Sequence, residues 1–162
     1  GYLLRTLGNM ERKPIRTVFT IQKEVAERIC PVRGREHGSR PAFNGMNRLA
    51  ACVQIWGIPN IVMKLKPTDF SPPPAIDSAI IAIETEKGSL TGKHLKNYYE
   101  TVSILFQQPR KTVLNNLSAG FDIPKEKALA LLKEANLKGT ERPENLTIET
   151  IQKISTLTHF KK

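Results

Sequence analysis

Side chains able to do nucleophilic, acid–base or metal chemistry are few in this chain and poorly spaced for it. His37, His94 and His159 each lack a Ser, Cys or carboxylate at a spacing that would build a catalytic pair, and solvent-facing histidines account for them. Cys30 and Cys52 form neither a CxxC motif nor a Cys/His cluster, which argues against both a zinc site and a disulfide framework. Glu24 and Glu27 stand three apart on a helical pattern, as paired carboxylates would, but Lys23 and Arg28 beside them make ion pairing the better assignment. Gly34, Gly38 and Gly45 lack the strand before and helix after that a phosphate-cradling loop requires. No catalytic, cofactor-binding or metal-binding residue is therefore assigned.

Three segments carry a different chemistry. Residues 70–78 set Phe70 on a frame of three consecutive prolines, Pro72 to Pro74. A fixed aromatic face is what an unstacked base needs, and spacing alone supports equally a ring that fills the core between two strands. In Phe106-Gln107-Gln108-Pro109-Arg110-Lys111-Thr112, adjacent cations stand at an expected helix start, where the macrodipole disfavours them. That placement suits a phosphate partner, with a solvated face as the alternative. The loop arginines Arg33, Arg35 and Arg40 are placed to track a nucleic-acid backbone, with the same alternative.

The elements that must position these residues follow from periodicity. Tyr2, Leu3, Leu4 and Leu7 predict a buried apolar helix with no N-cap residue before it, so the chain reads as starting inside an element. Arg16 to Ile21 predicts a buried strand and Gln22 to Cys30 a short helix. Residues 31–44 predict an exposed loop. Met46 to Trp56 predicts a helix closed by Gly57, with Trp56 in the core. Alternation from Ile61 to Lys66 and the run Ser78 to Glu84 predict two strands around the proline-rich loop. Beyond residue 88 the pattern turns wholly helical: Leu95 to Phe106, Lys111 to Leu117, Lys125 to Ala135 and Thr147 to His159, with Thr147 as N-cap. The inward residues expected there include Tyr99, Val102, Leu129 and Leu132.

The charge has its own distribution. The chain has 162 residues and a formal charge of +10 at pH 7. Residues 1–50 carry ten basic and four acidic side chains, residues 51–100 five of each, and residues 101–162 ten and six. Two basic regions around a neutral middle suggest a polyanionic partner, because each phosphate met by Lys or Arg releases counterions. With 40% hydrophobic residues, disorder is a poor reading, and no apolar run approaches the ~20 residues of a membrane span. A cytoplasmic monomer without membrane contact is expected.

At these segments the chain resembles the C-terminal portion of the ribosomal RNA adenine N6-dimethyltransferase family of the KsgA type. Residues 17–28, Thr-Val-Phe-Thr-Ile-Gln-Lys-Glu-Val-Ala-Glu-Arg, are similar to the family's strand and QKEVA helix. Residues 70–79 are similar to its F-x-P-P-P-x-V-D-S-A loop, residues 106–117 to its F-x-Q-R-R-K-T-L-x-N-x-L helix, and residues 142–146 to its R-x-E-N-L turn. The Pro-Pro-Pro-Ala-Ile-Asp-Ser-Ala run and the last turn resemble the small-subunit type more than the antibiotic-resistance enzymes of the large subunit. Pro109 departs from the family's usual Arg, and the basic loop 33–44 is longer.

The resemblance implies an α/β plus all-α fold: residues 1–88 as the C-terminal part of a Rossmann-like methyltransferase domain, residues 89–162 as a small helical RNA-binding domain. It implies S-adenosylmethionine as cofactor of the full-length enzyme, bound by a Gly-rich loop and an acidic residue not found in these 162 residues. The N-(L/I)-P-Y motif that holds the target adenine is not found in them either. The chain would then be a fragment, inactive alone, of an enzyme that dimethylates two adjacent adenines of small-subunit rRNA during ribosome biogenesis. Phe70 would line the adenine pocket, and Arg110, Lys111, Arg33, Arg35, Arg40 and Arg48 would hold RNA. A non-catalytic nucleic-acid-binding protein on the same scaffold, like the transcription-factor branch, is the alternative.

Overall fold

The apolar run ending in Ile83 forms β3 (Ser78–Thr85), the middle strand of a three-stranded sheet in the order β1-β3-β2. The computed structural model describes residues 2–30, 45–88 and 90–160. It separates into a sheet unit, Gly1–Asn44 with Val53–Ser89, and a helical unit, Gly45–Cys52 with Leu90–Lys162. The short stretch Gly45–Cys52 thus belongs with the helices that follow residue 90, although it lies in the first half of the chain.

In the sheet unit, β3 pairs antiparallel with β1 (Arg16–Gln22) and with β2 (Gly57–Leu65). A strand paired on both sides buries one face fully, and Ala79, Ile81 and Ile83 are all closed to solvent. The expectation of a buried β1 is corrected. No residue of β1 is buried and Val18 is 59% exposed, because β1 is an edge strand; its β-branched residues specify extended backbone and say nothing of depth. The alternation expected from Ile61 also fails. A bulge sets Ile61 opposite Ile81 but Met63 opposite Ile80, and the buried part of β2 is its start, at Gly57 and Pro59. Pro59 has no N–H to donate, which an edge strand tolerates. Gly57 opens β2 instead of closing the helix before it; a Cβ there would stand 2.6 Å from Ile83 Cγ2.

Helix α1 (Tyr2–Asn9) forms as its spacing predicts, but only Leu4 and Gly8 are buried while Tyr2 is 88% exposed, so the expected buried helix is corrected as well. Helix α2 (Lys23–Ile29) buries Ala26 and Ile29. Helix α3 (Arg48–Gln54) ends before a turn that leaves Trp56 fully buried, as expected.

The helical unit holds α4 (Gly92–Leu105), α5 (Val113–Gly120), α6 (Lys125–Glu134) and α7 (Ile148–Phe160). Helix α4 packs on α5 and α7, and α6 on α5 and α7. The stripe of α4 is Leu95, Tyr98, Val102 and Leu105; Tyr98 takes the inward place expected for Tyr99, and Leu131 that of Leu129. Tyr98 donates its hydroxyl to the Ala51 carbonyl at 3.2 Å, and burial pushes its phenol pKa up. The Arg142-Pro143-Glu144-Asn145-Leu146 turn receives the Met46 N–H on the Glu144 carbonyl at 2.8 Å. Gly45, at φ +52°, lies so close that a Cβ would meet Glu144 Cβ at 3.0 Å. Thr147 accepts the Thr150 N–H at 3.3 Å, the N-cap expected of it.

Candidate nucleic-acid interface

The Phe70 segment is held at both ends. A 3-10 turn over Pro67–Asp69 leads into it: the Asp69 carboxylate accepts the Lys66 N–H at 2.8 Å, and the Pro67 carbonyl accepts the Phe70 N–H at 3.2 Å. At its far end Asp77 is clamped to the start of α2, its carbonyl accepting the Lys23 N–H at 3.1 Å and its carboxylate the Lys23 ammonium at 3.0 Å. The Asp77 carboxylate raises the Lys23 pKa, first through that hydrogen bond. Lys64, near the end of β2, pairs with Glu27 of α2 at 3.1 Å. Glu24 pairs with Arg28 one turn on, so both glutamates that might have formed an acid–base pair are occupied as structural ions. Phe70 is only part-buried and is not among the core side chains, so the core-filling alternative for its ring is not what the structure shows.

The loop between α4 and α5 is more tightly determined. Asn116 lies on the buried face of α5 with Val113 and Leu117 and is only 6% exposed. Its carboxamide reaches back eight residues. Oδ1 accepts the Gln108 N–H at 3.2 Å, and Nδ2 donates to the carbonyls of Gln108 at 3.1 Å, Thr112 at 3.1 Å and Lys111 at 3.5 Å. The Lys111 N–H closes a turn on the Gln108 carbonyl at 2.9 Å. A buried amide with its donors and acceptor all engaged fixes the loop backbone, while Gln107, Pro109, Arg110 and Lys111 stand exposed. Asn116 was not among the residues singled out in sequence. The available signal was a polar residue on an otherwise apolar helix face, which must find partners.

The expected helix start at Lys111 is corrected. Thr112 is the N-cap, its hydroxyl accepting the Asn115 N–H at 3.3 Å, and α5 begins at Val113. Arg110 and Lys111 therefore precede the helix, so the dipole at a helix start no longer distinguishes them. The first amides are also occupied, since Val113 N–H donates to the Glu141 carbonyl at 2.8 Å. Any anion must be met by the side chains themselves. Glu141 closes its own loop by accepting the N–H groups of Lys138 at 2.9 Å and Gly139 at 2.8 Å. Burial alone would push its carboxyl pKa up, but these backbone donors together hold it below the usual carboxylate value.

Arg48 stands at the start of α3 in the helical unit, exposed, with one guanidinium N–H on the Ser103 hydroxyl at 3.1 Å. Arg33, Arg35, Arg40 and His37 lie outside the described residues. His94 is exposed, and His159 is part-buried with its ring edge-on to Phe121 at 5.6 Å. Cys30 and Cys52 are buried and in no disulfide, and burial pushes Cys30 up to about 11. Among the described residues no three His, Cys, Asp or Glu side chains group as a metal site would need, and no helix is long and apolar enough to cross a membrane.

With this geometry in place, the comparisons with known proteins are specific. The family model for ribosomal RNA adenine dimethylase matches residues 3–159. A ribosomal RNA small subunit methyltransferase A from Dehalococcoides mccartyi is 30% identical over 148 residues, covering 91% of this chain and 47% of the relative. That of Mycoplasma mycoides subsp. mycoides is 35% identical over 147 residues, covering 89% and 51%. The chain thus spans about half the length of the curated relatives it matches. Among solved structures, a dimethyladenosine transferase from Plasmodium falciparum aligns with a TM-score of 0.71 at 23% identity, over 94% of this chain and 60% of that one. The 23S rRNA methyltransferase ErmE aligns at 0.59 and 20% identity, over 89% and 55%. The fold is a mixed α/β one similar to that of rRNA methyltransferases, and the chain belongs to the ribosomal RNA adenine dimethylase family.

Proposed function

We propose that this chain forms the RNA-holding part, with one wall of the adenine pocket, of an S-adenosylmethionine-dependent enzyme that dimethylates two adjacent adenines of small-subunit rRNA in ribosome biogenesis. The observation that carries this reading is the loop 107–111, whose exposed Arg110 and Lys111 project from a backbone fixed by the buried Asn116. A positively charged loop whose backbone is already fixed meets phosphates at a smaller ordering cost than a flexible one. In this reading residues 1–88, apart from the stretch Gly45–Cys52 that groups with the helical unit, complete a Rossmann-like methyltransferase domain, and residues 89–162 bind the RNA. Phe70, part-open on a braced loop, offers its ring to the target base, and Arg48 with the arginines of residues 33–40 extends the contact. The protein works in the cytoplasm as a monomer.

The reaction needs an adenine amino group held against the methyl group that S-adenosylmethionine would supply when bound. Most of the acceleration comes from orientation. The residues of this chain contribute the stacking face at Phe70 and the hold on the RNA, and none of them is assigned to binding the cofactor. The test is methyl transfer to small-subunit RNA with labelled S-adenosylmethionine. The 162 residues alone should bind the RNA and transfer nothing, whereas transfer by the isolated chain would overturn the division of labour. RNA binding without transfer, even when a cofactor-binding segment is joined to the chain, would favour the non-catalytic alternative.

A further inference from the structure

Beside the Asn116 carboxamide lies an open recess of about 480 Å³, bordered by the loop after α4, one face of α5 and the start of α6. Its volume is within the range of small-ligand sites, about 300–1,000 Å³. No Asp or Glu side chain lines it. Two of its polar lining groups are already engaged: Asn116 on the loop backbone, and Ser118, whose hydroxyl donates to the Ile123 carbonyl at 2.7 Å. The other polar lining residues are Gln107, Gln108, Asn115, Lys111 and Lys125, and among the described residues none of their side chains makes a hydrogen bond or ion pair. The recess is therefore a fixed frame bearing three unspent donor–acceptor groups and two unpaired cations.

That combination selects among ligands. A phosphodiester alone or a carboxylate offers only acceptors, so it would satisfy the lysines and leave every carboxamide oxygen unmatched. A nucleobase edge offers donors and acceptors side by side, and Asn or Gln meets the N6 amino group and N7 of adenine with both atoms of its carboxamide. The adjoining phosphates supply the negative charge. In an RNA duplex the base edges lie within the grooves, so a base that enters a recess must be unpaired. We propose that this recess seats one unpaired RNA nucleotide, with Lys111 and Lys125 on its phosphates and the Gln107, Gln108 and Asn115 carboxamides on its base edge. The proposal rests on the reading that the helical unit binds RNA. It adds a base-reading site on that unit, separate from the Phe70 loop.

The experiment uses the full chain with three probes: a short oligoadenylate, the same ribose-phosphate chain without bases, and an RNA duplex of equal length. Anisotropy titrations across a salt series read both affinity and slope. The wild type should prefer the oligoadenylate to the base-free chain by at least about fivefold, the smaller end of what a two-atom base contact supplies. Asn115→Ala should erase most of that preference without changing the salt slope. Lys125→Ala should lower the slope by about 0.7 on both single-stranded probes, as one lost phosphate contact would. Both residues lie in the first turn of a helix where Ala is well tolerated, and circular dichroism checks that the variants fold. Equal affinity for the oligoadenylate and the base-free chain, or an Asn115→Ala variant that keeps the preference, would overturn the base-reading site. A slope unchanged in Lys125→Ala would overturn the phosphate contact, and duplex bound as tightly as oligoadenylate would overturn the requirement for an unpaired base. If only Arg110→Ala alters RNA binding, this inference fails while the proposed function stands; if the wild type binds no probe, both fail.

Discussion

The two units treat their apolar side chains in opposite ways. Among the described residues, all nine large hydrophobic side chains that remain exposed, Ile15, Val18, Val62 and Met63 among them, belong to the sheet unit, and the helical unit has none. Both edges of the sheet contribute, since β1 and β2 each have β3 on one side only. Apolar surface at a sheet edge is the kind that association covers. The helical unit closes its core with Tyr98, Val102, Leu117, Leu132 and Ile151 and has a buried amide left to fix a surface loop. One unit thus provides a rigid platform for charge, and the other provides surface suited to being covered.

The largest expected difference between them is in stability. Leu117→Ala, in the closed core, should cost about 2–5 kcal/mol by denaturant unfolding, whereas Val62→Ser, at 61% exposure, should change stability by no more than about 0.5 kcal/mol. Equal costs would break the comparison. Next, Asn116→Ala should cost about 1–3 kcal/mol by leaving the backbone groups of the 107–112 loop unpaired. Amide exchange locates that effect: Gln108 should lose protection while the α7 amides keep theirs, and uniform loss across both would mean that Asn116 supports the whole unit and not the loop.

A smaller effect is set by pH. The folded pKa of Glu141 lies below its ordinary value of 4.5, so its contribution is fully present above that pH and is lost as pH falls through the folded value. Discounted for its exposure, the contribution is about 1 kcal/mol or less. Glu141→Gln should remove that part of the acid sensitivity, and a variant as acid-sensitive as the wild type would contradict the role of the Lys138 and Gly139 amides. Smallest of all, Asp77→Asn in the sheet unit should leave the denaturation midpoint unchanged within error, because the Lys23–Asp77 pair is open to solvent. A clear loss would mean that this clamp bears more of the sheet unit's stability than its exposure suggests.

Much of this was readable from local pattern. Strands and helices appear where periodicity places them, and the Phe70 and Arg110 segments are surface loops braced by neighbouring elements. Depth was less readable. The side chains of residues 16–21 say strand, but whether a strand is central or an edge depends on pairing partners far along the chain. The bulge after Ile61 reverses an alternation that is clear on the page. The start of α5 turned on one hydroxyl, since Thr112 can cap and Lys111 cannot. Asn116 was missed because its bonds reach eight residues back across a loop, a separation no helical or strand period reveals.

The central claim is that the loop 107–111 holds RNA through Arg110 and Lys111, and the direct test is the salt dependence of affinity for small-subunit rRNA. Affinity should fall steeply with added salt for the wild type. Arg110→Ala combined with Lys111→Ala should flatten the logarithmic slope by about 1.4–1.8 without lowering the unfolding midpoint. A slope unchanged in a folded double variant would contradict the account and move the RNA contact elsewhere.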